Sequence, residues 1–207
     1  AIDSVLLQTY ANWELCIADG GSTSPQVKEI LENYTRNDAR IKVNFLGRNK
    51  GIAENSNEAL AMAGGEFVAF LDHDDTLAPF ALFEIAKAVN KDHNVDFIYS
   101  DEDKLSENGQ NRFNLNFKSS WNPDLLRSNN YLTHLTAITR TLIDKTGGFR
   151  AGFEGAQDYD LILRATEQAN RIHHIPAILY HWRTHEKSTA DNPEAKAGAY
   201  EAGRRAV

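Results

Sequence analysis

The chain has 207 residues, 42% apolar and 25% charged, enough for one domain with a substantial core. Its net charge of −7 excludes general nucleic-acid binding through a basic face. A single cysteine, Cys16, excludes an internal disulfide, and no apolar run is long enough to span a bilayer. Residues 1–10 read as the tail of an amphipathic helix, with Ile2, Val5 and Leu6 on one face. Residues 13–18 form a strand candidate that stops at the turn cluster Asp19-Gly20-Gly21-Ser22-Thr23. Ser24-Pro25 is a helix start, with a capping hydroxyl followed by proline in the first turn, and the helix should run to about Tyr34. A second strand over 41–46, a loop over 47–51 and an alanine-rich helix over 53–62 follow. The run Glu66-Phe67-Val68-Ala69-Phe70-Leu71 reads as a strand buried on both faces.

An apolar-periodic helix is expected over 80–89 and a strand over 95–100 that ends in Asp101, Glu102 and Asp103. Residues 104–122 read as irregular loops or a hairpin, 135–139 as a strand and 142–145 as a short helix stopped by Gly147-Gly148. A helix over 158–168, two short strands over 172–175 and 178–182 separated by Pro176, and a polar helix over 193–207 complete the chain. Strands alternate with helices through the first half. That pattern predicts an α/β domain with a mostly parallel central sheet flanked by helices, to which the more irregular second half is expected to add antiparallel strands.

Three groups carry candidate chemistry. Asp72, Asp74 and Asp75 follow the expected central strand, where open α/β sheets bind ligands. They suit a hard divalent cation shared with substrate phosphates, or else a solvated turn whose acids favour the next helix, with Asp75 as its cap. Asp158 and Asp160 lie in the first turn of a helix preceded by glycine, as capping acids or, for Asp158, as a general base. Tyr180-His181-Trp182-Arg183-Thr184-His185 brings two histidines and an arginine after a strand, either packed side chains or ligands for metal and phosphate. The loop over 47–51 is not a P-loop, and there is no dinucleotide-binding glycine fingerprint or thiolate zinc site.

Taken in order, these residues resemble the family 2 glycosyltransferases, inverting enzymes of the GT-A fold. Ser4 to Tyr10 with Trp13-Glu14-Leu15, Ala18 to Thr23, Asn49-Lys50-Gly51 with Asn57, Leu71 to Asp75, Gly147-Gly148-Phe149, Gln157 to Leu161, and Tyr180 to His185 with Ser188 carry the likeness through nearly the whole chain. The resemblance implies that Asp19 meets the nucleobase, with Asn49 and Gly51 also on the nucleotide. It implies that Asp72 contacts ribose or metal, that Asp74 and His185 ligate Mn²⁺ or Mg²⁺, and that Asp158 deprotonates the acceptor hydroxyl. Asp101, Glu102, Gly148 and Arg183 become candidate donor-sugar or acceptor contacts. Tyr99 to Asp103 looks like a subgroup that builds bacterial surface polysaccharide. The implied partners are a nucleotide-diphosphate sugar, expected to be a UDP-sugar, and a glycan or lipid-linked acceptor. The implied place is the cytoplasm, at or near the inner face of the membrane, with no transmembrane segment.

Gly20 stands where the family usually has a second acid, and Gln157 where it often has glutamate. The family also opens with an apolar strand that nothing in this sequence supplies. Residues 1–207 are therefore expected to be a single catalytic domain cut at its N-terminus and at the helix ending with Val207, with unpaired strand edges and a weakened donor site. Two other readings are a sugar nucleotidyltransferase and a non-catalytic glycan-binding or inactive domain. The first would ordinarily show a glycine-rich phosphate loop, and the second would bind carbohydrate without metal.

Overall fold

The computed structural model describes residues 1–184 and 197–207. Its elements run α1 (Ile2–Leu6), β1 (Leu15–Asp19), α2 (Pro25–Asn37), β2 (Ile41–Phe45), α3 (Ile52–Met62), β3 (Phe67–Ala69), β4 (Thr76–Leu77), α4 (Ala81–Lys91), β5 (Phe97–Leu105), β6 (Arg112–Asn116), α5 (Pro123–Ser128), β7 (Thr136–Thr139), α6 (Arg140–Thr146), α7 (Gln157–Gln168), β8 (Ile172–Arg183) and α8 (Ala197–Ala206). The α/β class agrees with the sequence reading. The sheet does not agree in detail, because it is mixed rather than mostly parallel. β1 and β2 pair in parallel as a separate ribbon. The larger sheet has the order β3-β7-β5-β8-β4, with β6 beside β5. Within it only β5 and β8 run parallel, while β3–β7, β5–β7, β4–β8 and β5–β6 are antiparallel. Only β5 and β6 are joined by a short turn, over residues 106–111; the other antiparallel pairs bring together strands far apart in the chain.

The strand at the centre is β5, not the run over 66–71. Phe97 and Tyr99 point into a cluster with Leu132, Ile138, Ile143 and Ile162. Ile98 points the other way, among Ile85, Leu135, Leu179 and Tyr180. This period-two alternation buries both faces of β5. Each such fully buried large side chain contributes roughly 1.5–3 kcal/mol. β3 is only partly buried and has one partner, β7. Its other edge and the free edge of β1 meet no strand among the described residues. Between them runs a groove of about 890 Å³, lined by apolar side chains that include Leu15, Phe67, Phe70, Leu77 and Ile85.

Two boundaries differ from expectation for physical reasons. β5 continues through Asp101, Glu102 and Asp103 to Leu105, because each buried acid finds a cationic or donor partner. β8 is one strand rather than two. Its register jumps from Ser100↔Ile175 to Asp101↔Ile178, so Pro176 lies in the bulge, where its missing N–H breaks no ladder bond. The helix α5 begins where Asn122 Oδ1 accepts from the N–H groups of Asp124 and Leu125, with Pro123 in the first turn.

Candidate active site

The acidic turn leaves β3 and folds back at once, with the Asp75 N–H on the Asp72 carbonyl at 3.2 Å. Its acids have different fates. Asp75 is fully buried. Its Oδ2 accepts from Tyr180 Oη at 2.5 Å and its Oδ1 from the Arg183 N–H at 2.7 Å. It therefore fastens the turn to the end of β8 and caps no helix. Burial pushes its carboxyl up to about 6 despite those two bonds. Asp72 keeps its side chain 62% exposed, 3.8 Å from His134 Nε2. Desolvation, then Asp74 and Asp158, push its carboxyl up, opposed by His134. The Asp74 side chain is 30% exposed and lies 3.9 Å from His73 Nδ1.

Asp158 sits in the first turn of α7. Its Oδ2 accepts from Asn130 Nδ2 and Thr133 Oγ1, both at 3.2 Å. Asp72, Thr133, His134 and Asp158 all line the groove, so the structure brings the metal-motif acid and the expected base to one wall. Asp160 is not part of that wall. It is buried, bonded to Arg150 and Arg164, and fixes α7 to the preceding loop. Burial alone would raise its carboxyl, but the two guanidinium groups more than offset it and hold it low.

Asp19, Asn49 and Gly51 form a second knot at the ends of β1 and β2. Asp19 accepts from the Ser22 N–H at 3.2 Å and from Ser22 Oγ at 2.5 Å. Asn49 Oδ1 accepts from the Gly51 N–H and from Asn55 Nδ2, both at 2.9 Å. A side chain at Gly20 would put its Cβ 2.6 Å from Asn55 Nδ2. A larger residue there would have to displace the Asn55 amide from its bond to Asn49 Oδ1.

The candidate sugar contacts lie inside the scaffold. Asp101 is buried, bonded to the Lys118 N–H at 2.9 Å and to His174 Nε2 at 2.8 Å. Glu102 is buried, accepting from the His134 N–H at 2.5 Å and from Asn116 Nδ2 at 3.1 Å. The Arg183 guanidinium donates to the backbone carbonyls of Asp74, Ser106 and Glu107. Gly148 has φ +69°, and a Cβ there would stand 2.8 Å from Asn57 Oδ1. Its bareness lets Asn57 exchange two bonds with the Phe149 backbone, at 2.8 and 2.9 Å. His185, the expected last metal ligand, and Ser188 lie outside the described residues.

Sequence reasoning missed Asn130, Thr133, His134 and Lys118. His134 stacks on Tyr180 with ring centroids 4.6 Å apart. Burial pulls its imidazole down, but Glu102, Asp72 and Asp158 more than offset this and raise it. The available signal was a cluster of polar residues, Asn129, Asn130, Thr133 and His134, just before a buried strand. Ligand atoms of Asp72, Asp75 and His134 come within 4.8 Å of one another. Asp75 is spent on its two hydrogen bonds, so it is a poor donor to a cation. Of that group Asp72 is the more available ligand, its side chain 62% exposed; Asp74, 30% exposed in the same turn, is not among the three.

This fold and groove define a GT-A glycosyltransferase domain. The chain is similar to the TarS protein of S. aureus, solved in complex with UDP-GlcNAc, with a TM-score of 0.75 and 25% identity over 97% of this chain and 59% of that one. Residues 1–154 match the family described as Glycosyl transferase family 2, and the chain belongs to that family. It is 46% identical over 208 residues to the uncharacterized protein y4gI of Sinorhizobium fredii, covering 100% of this chain and 23% of the relative. It is 39% identical over 204 residues to the O-antigen biosynthesis protein RfbC of Myxococcus xanthus, covering 99% of this chain and 16% of the relative. The chain thus spans less than a quarter of either relative's length.

Proposed function

We propose that this domain transfers a sugar, with inversion, from a nucleotide-diphosphate donor to a hydroxyl of a glycan or lipid-linked acceptor in bacterial surface-polysaccharide synthesis. The observation that carries the reading is Asp158, held by two donors on the same groove wall as Asp72. A UDP-sugar is the donor of choice, supported by the TarS complex with UDP-GlcNAc. The name of RfbC, an O-antigen biosynthesis protein, supports the polysaccharide setting.

In this reading Asp19 hydrogen-bonds the nucleobase, and the Asn49–Gly51 turn shapes the nucleotide's bed. Asp72 meets the ribose or the cation, and Asp74 with His185 completes the protein ligands for Mn²⁺ or Mg²⁺. A bound divalent ion supplies charge neutralisation to a departing diphosphate. Asp158 takes the acceptor's proton as its oxygen attacks the anomeric carbon from the face opposite the leaving group. Asp101, Glu102, Gly148 and Arg183 act through the scaffold, given their inward partners. Residues 1–207 form one catalytic domain. The work is placed at the cytoplasmic face of the membrane; among the described residues no helix is long and apolar enough to cross one.

The test is Asp158→Asn. Transfer to acceptor should fall by at least about a hundredfold, the scale of a lost general base, while calorimetry shows donor affinity preserved. Undiminished turnover would remove Asp158 from the mechanism. Carbohydrate binding without nucleotide or metal dependence would support a non-catalytic module instead.

A further inference from the structure

We infer that Asn130 and Thr133 are positioning residues that aim the Asp158 carboxylate, an inference that rests on Asp158 being the base. Three hydrogen bonds close a triangle. Asn130 Nδ2 donates to Thr133 Oγ1 at 2.7 Å and to Asp158 Oδ2 at 3.2 Å, and Thr133 Oγ1 donates to Asp158 Oδ2 at 3.2 Å. The hydrogens balance one way only. The amide nitrogen has two and uses both, the hydroxyl has one and uses it, and the carboxylate only accepts. Oδ2 is thereby occupied twice, the carboxylate cannot swing, and no described residue bonds Oδ1. That oxygen is left for the acceptor hydroxyl.

The loop carrying the two donors is itself clamped. Lys118 Nζ donates to the carbonyls of Leu132 at 3.1 Å and His134 at 2.5 Å, on either side of Thr133. The His134 N–H is fixed to Glu102 of β5 at 2.5 Å. Leu132 is fully buried, and the Tyr131 ring packs edge-on against Tyr99 at 6.0 Å. Asn130 Oδ1, by contrast, is buried with no hydrogen-bond partner among the described residues. An amide that leaves its acceptor unsatisfied while both hydrogens serve the base side is not arranged for stability alone. Placement of a reacting group to within a fraction of an ångström is worth large rate factors. This loop supplies that placement to Asp158 from outside α7.

The experiment compares Asn130→Ala, Thr133→Val and Thr133→Ser in the protein, alone and in the Asp158→Asn background, with a UDP-sugar donor and a saccharide acceptor. Asn130→Ala and Thr133→Val should lower kcat about 10- to 100-fold, with both KM values and calorimetric UDP affinity within about twofold. Thr133→Ser, which keeps the hydroxyl, should restore most of kcat. In the Asp158→Asn background Asn130→Ala should cost nothing further, because its effect passes through the missing carboxylate. Additive losses in that background, a loss confined to KM or UDP affinity, or full kcat in Thr133→Val would overturn the assignment while leaving Asp158 as base. Full turnover in Asp158→Asn itself would overturn both. Thr133→Val, near in shape to threonine, keeps the test decisive if Asn130→Ala fails to fold.

Discussion

Lys118 shows how much a single residue can commit to the site without touching substrate. Its side chain is 1% exposed, with Glu102 Oε2 at 3.9 Å. Burial pushes its ammonium down to about 8, against the pull of Glu102 and Asp101. The sign follows from proton counting. Below about pH 8 lysine is charged in both states, and the folded protein bears a buried charge. Between about 8 and the ordinary lysine range near 10.4, the unfolded chain holds the proton and the folded chain does not, so stability rises with pH. Unfolding free energies from urea titrations between pH 7 and 10.5 should move in favour of the wild type over Lys118→Met by up to roughly 3 kcal/mol. A difference that stays flat would mean Lys118 keeps its proton when folded. Asp72, Asp74 and Asp158 were legible from sequence because their neighbours fix their place at a strand end and a helix start. Lys118, Asn130 and Thr133 were not, since their meaning lies in partners brought near only by folding.

At the scale of elements, buried acids hold this fold together. Along β5 and β8, Asp101 pairs with His174 at 2.8 Å, and Asp103 pairs with His181 and Arg112, both at 2.6 Å. In sequence three consecutive acids look like a solvated loop, so the strand appears to stop at Ser100. The histidines that make burial tolerable lie more than seventy positions away, and no local pattern reveals them. Helix α7 uses the same device. Arg150, Arg164 and the fully buried Asp160 fasten it behind Asp158. Asp160→Ala leaves Arg164, whose side chain is 17% exposed, with no carboxylate and only the Thr146 and Gly148 carbonyls, and should cost about 3–5 kcal/mol by chemical denaturation. A loss under about 1 kcal/mol would show that the pair is solvated and the helix held by apolar packing alone.

At the scale of the whole molecule, most of the element order was readable, though not β4 or α5, and the direction in which the strands pair was not. Periodicity marks where strands are. It does not say which edges meet, and the antiparallel returns of β6 and β7 turn an expected parallel sheet into a mixed one. The groove between β1 and β3 is the feature both site and sheet share. Cys16 lines it.

The central claim is that the groove's acid cluster receives a metal-bridged nucleotide diphosphate. Calorimetric titration of UDP, with and without Mn²⁺, on the protein and on Asp74→Ala tests it most directly. The account predicts binding that requires Mn²⁺ and is lost in Asp74→Ala. UDP binding that ignores both the metal and the substitution, or no metal-dependent binding of UDP or dTDP, would contradict it.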